Sequence, residues 1–268
     1  MIVRTLVGLL SAVLAVFLAV PVLALVGRAI GAGQLVEVVA SPVVRDALWL
    51  SLGTTATSLA ITVAVGTPLA FLLARRRFRG AAVVELVIDL PLVLPPSVAG
   101  LALLLVFGRR GLLGDSLEAV GVAIPFTAVA VVLAQVFVAS PFYIRAARAG
   151  IASVPRDLED AARVDGASEL AVFRHVTTQL AGPALAAGMV TSWARSLGEF
   201  GATILFAGNV TGRTQTLPLV VYGEFEAGDL EASVAAATIL VLAAVAVLVA
   251  VRLARRDHLV DVASTAQP

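Results

Sequence analysis

The sequence contains no cysteine and no lysine, and only two histidines, His175 and His258. Without cysteine there are no disulfides, no thiol chemistry and no cysteine-ligated metal, and the two histidines lie far apart with no ligand-like neighbours. Without lysine the phosphate-binding pattern GxxxxGK[ST] is impossible, and no GxGxxG follows a strand. The sequence therefore predicts no catalytic residue, metal or cofactor in this chain. Any energy that it uses must come from a partner or an ion gradient.

Charged residues are also scarce, at 14% of the 268 residues, whereas soluble domains carry roughly 25%. Hydrophobic residues make up 60%, and the mean hydropathy is +1.01. This composition predicts an all-α integral membrane protein, and the net charge of +1 gives no indication of nucleic-acid binding. Six apolar runs are long enough to cross the bilayer core, which takes roughly 20 helical residues. They are 5–27, 47–74, 86–107, 122–143, 183–207 and 233–252.

The arginines predict which ends of these six transmembrane helices face the cytoplasm. Arg4 precedes an apolar run of about 22 residues, longer than a signal-peptide core of about 7–15, so we interpret this run as an uncleaved first helix. With the N-terminus inside, thirteen of the nineteen arginines fall in cytoplasmic segments, five fall outside, and Arg195 lies within a helix. Because Lys and Arg resist translocation, both termini and the polar segment 154–168 are predicted to be cytoplasmic.

The polar segment 154–168 lies between the fourth and fifth apolar runs. Pro155 stands where a helix would begin, because its fixed φ and missing N–H are harmless there. Asp157, Glu159 and Asp160 crowd the first turns, where negative charge suits the helix dipole. Gly166 ends this helix, since glycine readily takes the left-handed conformation, and a second short helix is predicted at about 168–175. This helix–glycine–helix elbow indicates a docking device; an ordinary amphipathic connector is the alternative.

Three prolines, Pro91, Pro95 and Pro96, interrupt the third apolar run within six residues. They remove backbone donors and kink or break a helix. Broken backbone at membrane depth is tolerated where it is buried in protein or lines a wet cavity, so Pro95 and Pro96 are candidates for lining a pathway. The alternative is a short re-entrant or interfacial piece before a helix that begins at Pro95 or Pro96.

The fifth apolar run carries Arg195 and Glu199, which are four residues apart and can pair on one helix face. Charges at this depth are costly and usually face the bundle interior or water. Gly198 and Gly201 would let a neighbouring backbone approach closely. We interpret Arg195, Ser196, Gly198 and Glu199 as candidates for a gate or permeation face. A charge pair that only fixes helix packing is the alternative.

The segment 208–231 is predicted to be a hydrated outer loop. Its polar and acidic residues suit a docking surface for a soluble partner, a cap on a pathway, or a solvated face without a partner. The candidates for docking are Arg213, Thr214, Gln215, Glu224 and Glu226.

Two groups of residues resemble a known family. Asp160-Ala161-Ala162, followed by Gly166 and Val176, is similar to the E-A-A-xxx-G-x9-I-x-L-P signature of ABC importer permeases. Asp replaces the Glu, and Thr178-Gln179 stand where the signature has Leu-Pro. The second group resembles the molybdate/tungstate permeases and their relatives, the sulfate permeases, over roughly residues 45–252. It consists of 89–96, 197–203, 206–209 and 212–219.

The resemblance implies a type I ABC importer fold in which a coupling helix lies between helices 4 and 5. The coupling residues would be Glu159, Asp160, Ala161, Ala162, Asp165, Gly166 and Ala167. It also implies an N-terminal helix and outer loop at 1–45, a permease domain at 46–252 and a cytoplasmic tail at 253–268. The implied partners are a pair of ATPase subunits that bind ATP and Mg, a periplasmic or lipid-anchored oxyanion-binding protein, and a second, identical permease copy in the cell membrane.

The implied cargo is a tetrahedral oxyanion, molybdate or tungstate, and three alternatives are open. Sulfate or thiosulfate would keep the mechanism and change the cargo. A secondary transporter driven by protons or sodium would use Glu199 or Glu85 as its titrating group, and it would be expected to show repeated halves, which we do not find. A membrane scaffold without cargo would leave the outer loop and the broken third run unexplained.

Overall fold

The computed structural model describes the backbone of residues 2–33 and 35–264 and the side chains of 4–33 and 35–249. Over these residues the protein is helical and contains no strand, which confirms the all-α fold class. Helices α1 to α7 are Ile2–Ala32, Leu35–Ala40, Pro42–Arg75, Ala81–Val93, Pro96–Phe107, Gly114–Ala119 and Ala128–Ser153. Helices α8 to α14 are Arg156–Val164, Glu169–Val172, Thr178–Leu180, Gly182–Leu197, Gly201–Phe206, Leu217–Glu226 and Leu230–Ser264. A π-helical turn, Phe173–Thr177, lies between α9 and α10.

Several of these helices are long and apolar enough to cross a membrane. Among the described residues they are α1, α3, α7 and the portion Leu230–Val249 of α14, and the bent pair of α4 and α5 counts as a fifth. The predicted fifth run, 183–207, is instead two helices, α11 of 16 residues and α12 of 6. The predicted count of six spanning helices is therefore not confirmed, because the chain breaks near Gly198, where we predicted a continuous helix.

The prolines of the third run break it as predicted. α4 ends at Val93, the chain turns by 119°, and α5 begins at Pro96. Leu94 and Pro95 are both extended, with ψ of 132° and 137°. Each precedes a proline, and a following proline ring disfavours the helical conformation of the residue before it. Two consecutive prolines therefore force two consecutive extended residues, which is enough to redirect the chain.

The core is built around α7, against which α3 and α11 pack. Small residues make this packing close: a Cβ built on Gly188 of α11 would lie 2.9 Å from the Cβ of Ala146 of α7. Lipid is as apolar as a leucine side chain, so helices in a membrane associate through such close packing rather than through the hydrophobic effect. By contrast, none of the spanning window of α1 is buried. α1 lies at the periphery, next to α14, and Arg28 forms an exposed ion pair there with Glu231 at 2.6 Å.

The bounds of α7 differ from the predicted run 122–143. The helix begins at Ala128, where the hydroxyl of Thr127 accepts a hydrogen bond from the N–H of Ala130 at 3.4 Å. Phe126, just before this cap, has a φ of +60°, which no helix can include. The helix continues to Ser153 and delivers the chain directly to α8. We call this end of the bundle the elbow end and the opposite end the far end.

The prediction of a hydrated loop at 208–231 is wrong for residues 217–226. Residues 217–226 form α13, whose first turns are buried between α3 and α14. Leu217 and Val220 pack there in one cluster with Ala47 and Ile239. The N–H of Leu217 also donates to the hydroxyl of Ser51 at 2.8 Å. The first four residues after Thr216, Leu217 to Val220, are apolar and buried, and their burial outweighs the polar residues on either side.

The predicted domain boundaries fall inside helices. The division at residue 45 lies within α3, and the division at residue 252 lies within α14, which continues without a break to Ser264. Residues 265–268 of the predicted tail lie outside the described residues.

Candidate functional site

The elbow at 154–177 has the predicted shape. Pro155 caps α8, and Gly166 follows it with a φ of +91°. This left-handed conformation favours glycine because a Cβ would crowd the following carbonyl. The hydroxyl of Ser168 then caps α9 by accepting from the N–H of Ala171 at 3.3 Å. The predicted second helix is shorter than expected as an α-helix, because the chain widens into the π-helical turn at Phe173.

One arginine holds the two arms of the elbow together. The guanidinium of Arg163 donates to Asp160 at 2.7 Å and to both carboxylate oxygens of Glu169 at 2.7 and 3.1 Å. The hydrogen bonds from Arg163 lower the pKa of Glu169, and the same contacts raise the pKa of Arg163. Arg163 precedes Gly166 and Glu169 follows it, so their exposed ion pair links the two sides of the turn.

Apolar side chains are exposed on the outer face of the elbow. Val164 is 87% exposed, Leu170 is 74% exposed and Leu158 is 48% exposed. Of the predicted coupling residues, those open to solvent are Asp160, Ala161, Asp165 and Gly166, and those partly open are Ala162 and Ala167. Apolar groups set among charges on a projecting element are typical of a surface that binds another protein.

Glu159, which we predicted to be a coupling residue on this surface, points the other way. It is 3% exposed, and its Oε1 accepts from Arg75 at 2.7 Å and from the hydroxyl of Thr177 at 2.7 Å. Its carboxylate is therefore turned into the bundle, whereas Asp160 and Asp165 lie on the exposed side of the elbow. Arg75, at the end of α3, lies against this side of α8 and neutralises the buried carboxylate.

The two helix breaks of the third and fifth runs pack against each other, at a face of the bundle where Pro95, Pro96 and Gly198 are exposed. A Cβ built on Gly201 would lie 2.7 Å from the Cβ of Pro96, and one on Gly100 would lie 2.6 Å from the carbonyl oxygen of Ala202. The start of α5 thus packs directly on the start of α12, with glycine on both sides. The expected close approach is confirmed for Gly201. It is not found at Gly198, where a Cβ would meet only the Ala194 oxygen within 4 Å, at 3.8 Å.

The predicted pair of Arg195 and Glu199 is present at this junction. Arg195 Nη2 lies 2.8 Å from Glu199 Oε2, and the side-chain exposures are 29% and 1%. Oε1 of Glu199 accepts from the N–H of Ala202 at 2.8 Å. Glu199 therefore ties the end of α11 to the start of α12, a role that fits the packing alternative as well as a gate. Glu85, the other carboxylate considered as a titrating group, pairs with Arg148 at 2.8 Å.

A buried polar stripe on α3 was missed by the sequence analysis. It faces α7 and α11 and consists of Ser51, Thr54, Thr55, Ser58 and Thr62, each at most 6% exposed. Ser58 donates to the hydroxyl of Ser196, beside Arg195, at 3.3 Å. Gln135 of α7 donates to Thr54 at 3.2 Å. Spacings of three and four residues put the stripe on one helix face, and that periodicity within an apolar run was the available signal.

The docking candidates at the far end do not form one surface. Arg213 and Glu226 are exposed, and Gln215 and Glu224 are partly exposed. Thr214 is fully buried, and its hydroxyl accepts from the N–H of Val210 at 3.0 Å. Thr214 therefore stabilises the turn before α13 and cannot contact a partner in this conformation. Among the described residues no group of three His, Asp or Glu is arranged to hold a metal ion.

Comparisons with known proteins agree with this architecture. A family model described as a binding-protein-dependent transport system inner membrane component matches residues 66–256. The molybdenum transport system permease protein ModB of Mycobacterium tuberculosis is 42% identical over 236 residues, which cover 88% of this chain and 89% of ModB. The probable transport system permease protein NifC of Clostridium pasteurianum is 35% identical over 249 residues, covering 92% and 86%.

A solved structure shares the fold. A chain in the crystal structure of a bacterial ABC transporter involved in the import of the acidic polysaccharide alginate matches with a TM-score of 0.75, covering 95% of each chain. The sequence identity is 16%, so this likeness supports the arrangement of helices and carries nothing about cargo.

Proposed function

Because this chain belongs to the family of binding-protein-dependent transport system inner membrane components, we propose that it forms the pathway by which an ATP-driven importer carries molybdate across the cell membrane. The family consists of non-catalytic permease subunits of ABC importers, in which a separate ATPase hydrolyses ATP. The chain is therefore a permease subunit and not an enzyme. This family membership argues against the alternative of an ion-gradient-driven transporter, which the sequence alone left open.

The choice of molybdate depends on one observation, the 42% identity with ModB over nearly the full length of both chains. Tungstate has the same charge and tetrahedral geometry, so the proposal includes it. Sulfate or thiosulfate is the alternative cargo. A periplasmic or lipid-anchored binding protein captures the oxyanion and delivers it to the far end.

The polar groups along the bundle suit a passage better than a tight binding site. A dianion leaves water only where hydrogen bonds or positive charge replace its hydration. The one arginine at the junction, Arg195, is already neutralised by Glu199 at 2.8 Å, so this pair offers no net charge to trap the cargo. The hydroxyls of the α3 stripe are buried against neighbouring helices and add no binding site for the oxyanion. We therefore assign selective capture of the oxyanion to the binding protein, and we expect the permease to release the oxyanion quickly.

The elbow provides the connection to the ATPase. We assign the elbow end to the cytoplasm, because this orientation places thirteen of the nineteen arginines on the cytoplasmic side, and arginine resists translocation. Val164 and Leu170, exposed on the elbow, would enter a groove of the ATPase as a helix enters a complementary groove. Two ATPase subunits and two identical permease copies give each elbow its own groove. Closure of the ATPase pair on ATP would then tip the bundle between inward-facing and outward-facing states, as a rigid-body switch.

Complementation tests the cargo. The chain is expressed with its own ATPase and binding protein in a strain that cannot take up molybdate and in one that cannot take up sulfate. We expect growth to be restored at low molybdate in the first strain only. Rescue of the sulfate strain alone would show that the cargo is sulfate and not molybdate. Rescue of neither strain by a complex that assembles and hydrolyses ATP would remove both oxyanions as cargo.

A further inference from the structure

The contact between the elbow and α3 is a buried ion pair. Arg75 and Glu159 lie 2.7 Å apart, with side-chain exposures of 9% and 4%. Thr177, which is fully buried, donates to the same carboxylate oxygen at 2.7 Å. Arg75 also donates to the carbonyl of Val154 at 3.2 Å. We call Arg75, Glu159 and Thr177 the Glu159 cluster.

The cluster joins both arms of the elbow to the end of α3, which is remote from them in the chain. Arg75 ends α3, Glu159 lies in α8, and Thr177 ends the π-helical turn. The elbow is connected covalently to α7 and, through α10, to α11, but α3 is 84 residues away from Glu159 in sequence. An edge-on contact of Phe71 with Phe173, with ring centroids 5.2 Å apart, lies alongside.

We propose that Glu159 is a positioning residue that makes α3 move with the elbow when the ATPase moves it. This inference depends on the proposed function only in taking the elbow to be the part that the ATPase moves. The residue does not contact the ATPase or the cargo. It acts through Arg75, and without it the elbow would pull on α7 and α11 while α3 lags behind.

The position of α3 makes such a link consequential. Arg75 ends the same continuous helix α3 that carries the polar stripe at 51–62, and within that stripe Ser58 donates to the hydroxyl of Ser196 at 3.3 Å. Ser196 is next to Arg195, which pairs with Glu199 at the junction of the helix breaks. A displacement of Arg75 along α3 therefore reaches both candidate gate groups through packed and hydrogen-bonded contacts, the kind of physical connection that coupling between sites requires.

The chemistry also favours a positioning role over simple stabilisation. Apolar residues of the same volume would often hold two segments together at least as well as a buried ion pair, because both charges must leave water. What the pair and its hydroxyl add is one defined geometry, because Arg75 Nη2 and the Thr177 hydroxyl both donate short hydrogen bonds to one oxygen of Glu159, and charge-assisted hydrogen bonds of this kind are directional. A rigid joint is what transmits a displacement without slippage.

The test is the amount of molybdate transported per ATP hydrolysed, measured in proteoliposomes with the permease, its ATPase and the binding protein. Glu159→Gln removes the charge and keeps the shape. We expect the variant to assemble with the ATPase and to hydrolyse ATP, but to transport about fivefold less per ATP, within the range seen for substitutions along coupled networks. The charge exchange Arg75→Glu with Glu159→Arg should restore part of the ratio.

Two further variants keep the test decisive. Asp89→Asn removes a half-exposed ion pair, Asp89 with Arg145 at 3.3 Å, at the same end but away from the elbow, and should leave the ratio unchanged. Thr177→Val keeps the ion pair and removes only the hydroxyl, so it should fold even where Glu159→Gln does not, and lower the ratio about twofold.

The results separate this inference from the proposed function. An unchanged ratio in assembled Glu159→Gln, or in Thr177→Val if the first variant does not assemble, would overturn the positioning role. A fall in the ratio equal to that of Asp89→Asn would also overturn it. A wild-type complex that hydrolyses ATP and transports no molybdate would instead contradict the proposed cargo, and the ratio would then be measured with sulfate.

Discussion

The elbow and the junction of the two helix breaks both depend on interrupted helices, but the interruptions have opposite results. In both, glycine or proline interrupts a helix and redirects the chain. At the elbow the interruption at Gly166 projects exposed groups outward, with Val164 at 87% exposure. At the junction the interruptions bring two helix starts into contact, with Gly201 against Pro96. The first break leaves apolar groups exposed, and the second makes a tightly packed joint with one ion pair.

The largest expected effect is at the elbow. Gly166 has a φ of +91°, and proline is fixed near a φ of about −65°. Gly166→Pro must therefore reshape the turn, and it also removes the N–H that donates to Arg163. We expect transport to fall to background while the bundle still folds. Uptake assays together with thermal unfolding of the purified protein measure both.

The matched control for this substitution is Gly182→Ala. A Cβ on Gly182 would meet nothing within 4 Å, and its φ is not in the left-handed region. It should transport normally. Normal transport by Gly166→Pro with the ATPase bound would contradict the coupling role of the elbow, as would normal transport after deletion of residues 160–162.

The next effect is at the joint. Arg195→Met leaves Glu199, which is 1% exposed, as a buried carboxylate without its cation. Breaking a buried pair in this way costs about 3 kcal/mol. Glu199→Gln should cost less, because Arg195 is partly exposed and the new side chain still accepts from Ala202. Thermal or denaturant unfolding in detergent checks the order, and equal losses would show that burial does not control this pair.

Close packing at the joint gives a smaller effect with an internal control. A methyl group on Gly201 would lie 2.7 Å from the Cβ of Pro96, whereas one on Gly198 would meet no atom closer than 3.8 Å. Gly201→Ala should destabilise the protein by about 1–3 kcal/mol through overpacking, and Gly198→Ala should change it by roughly 0.5 kcal/mol or less. If the two variants unfold alike, the packing of α5 on α12 is wrong.

The smallest effect concerns the exposed ion pair of the elbow. Arg163 lowers the pKa of Glu169 below its ordinary value of 4.5. A carboxyl with a lowered folded-state pKa stabilises the fold above its unfolded pKa, and this contribution is lost as the pH falls through the folded pKa. The protection factors of the amides of 160–175, which correct for the intrinsic pH dependence of exchange, should therefore be steady from pH 7 to pH 5 and fall below pH 4. Glu169→Gln should show lower protection factors at pH 7 and no such fall.

The comparison also explains which features were predictable from sequence. Pro155, Gly166, Pro95 and Pro96 act on the backbone of their immediate neighbours, so the elbow and the third-run break were predicted. The pair of Arg195 and Glu199 follows from a spacing of four residues on one helix. These effects are local and need no knowledge of the rest of the fold.

The features that were missed depend on distant partners. Glu159 was grouped with the other acidic residues of α8, because nothing near it in sequence indicates that Arg75, 84 residues away, would receive it. The segment at 217–226 was predicted as a loop. Its burial depends on contacts with α3 and α14, which are distant in sequence and leave no local signal. No proline near Gly198 indicates from the sequence that the helix breaks there. The break is held by Glu199, which accepts from Ala202.

The most direct test of the account is to place a single cysteine at Val164, which is possible because the chain has no cysteine of its own. The account predicts that Val164→Cys cross-links to the ATPase subunit in membranes and that a membrane-impermeant thiol reagent does not label it on intact cells. Labelling from outside, or a complex in which this cysteine never reaches the ATPase, would contradict the claim that the elbow receives the movement that drives transport.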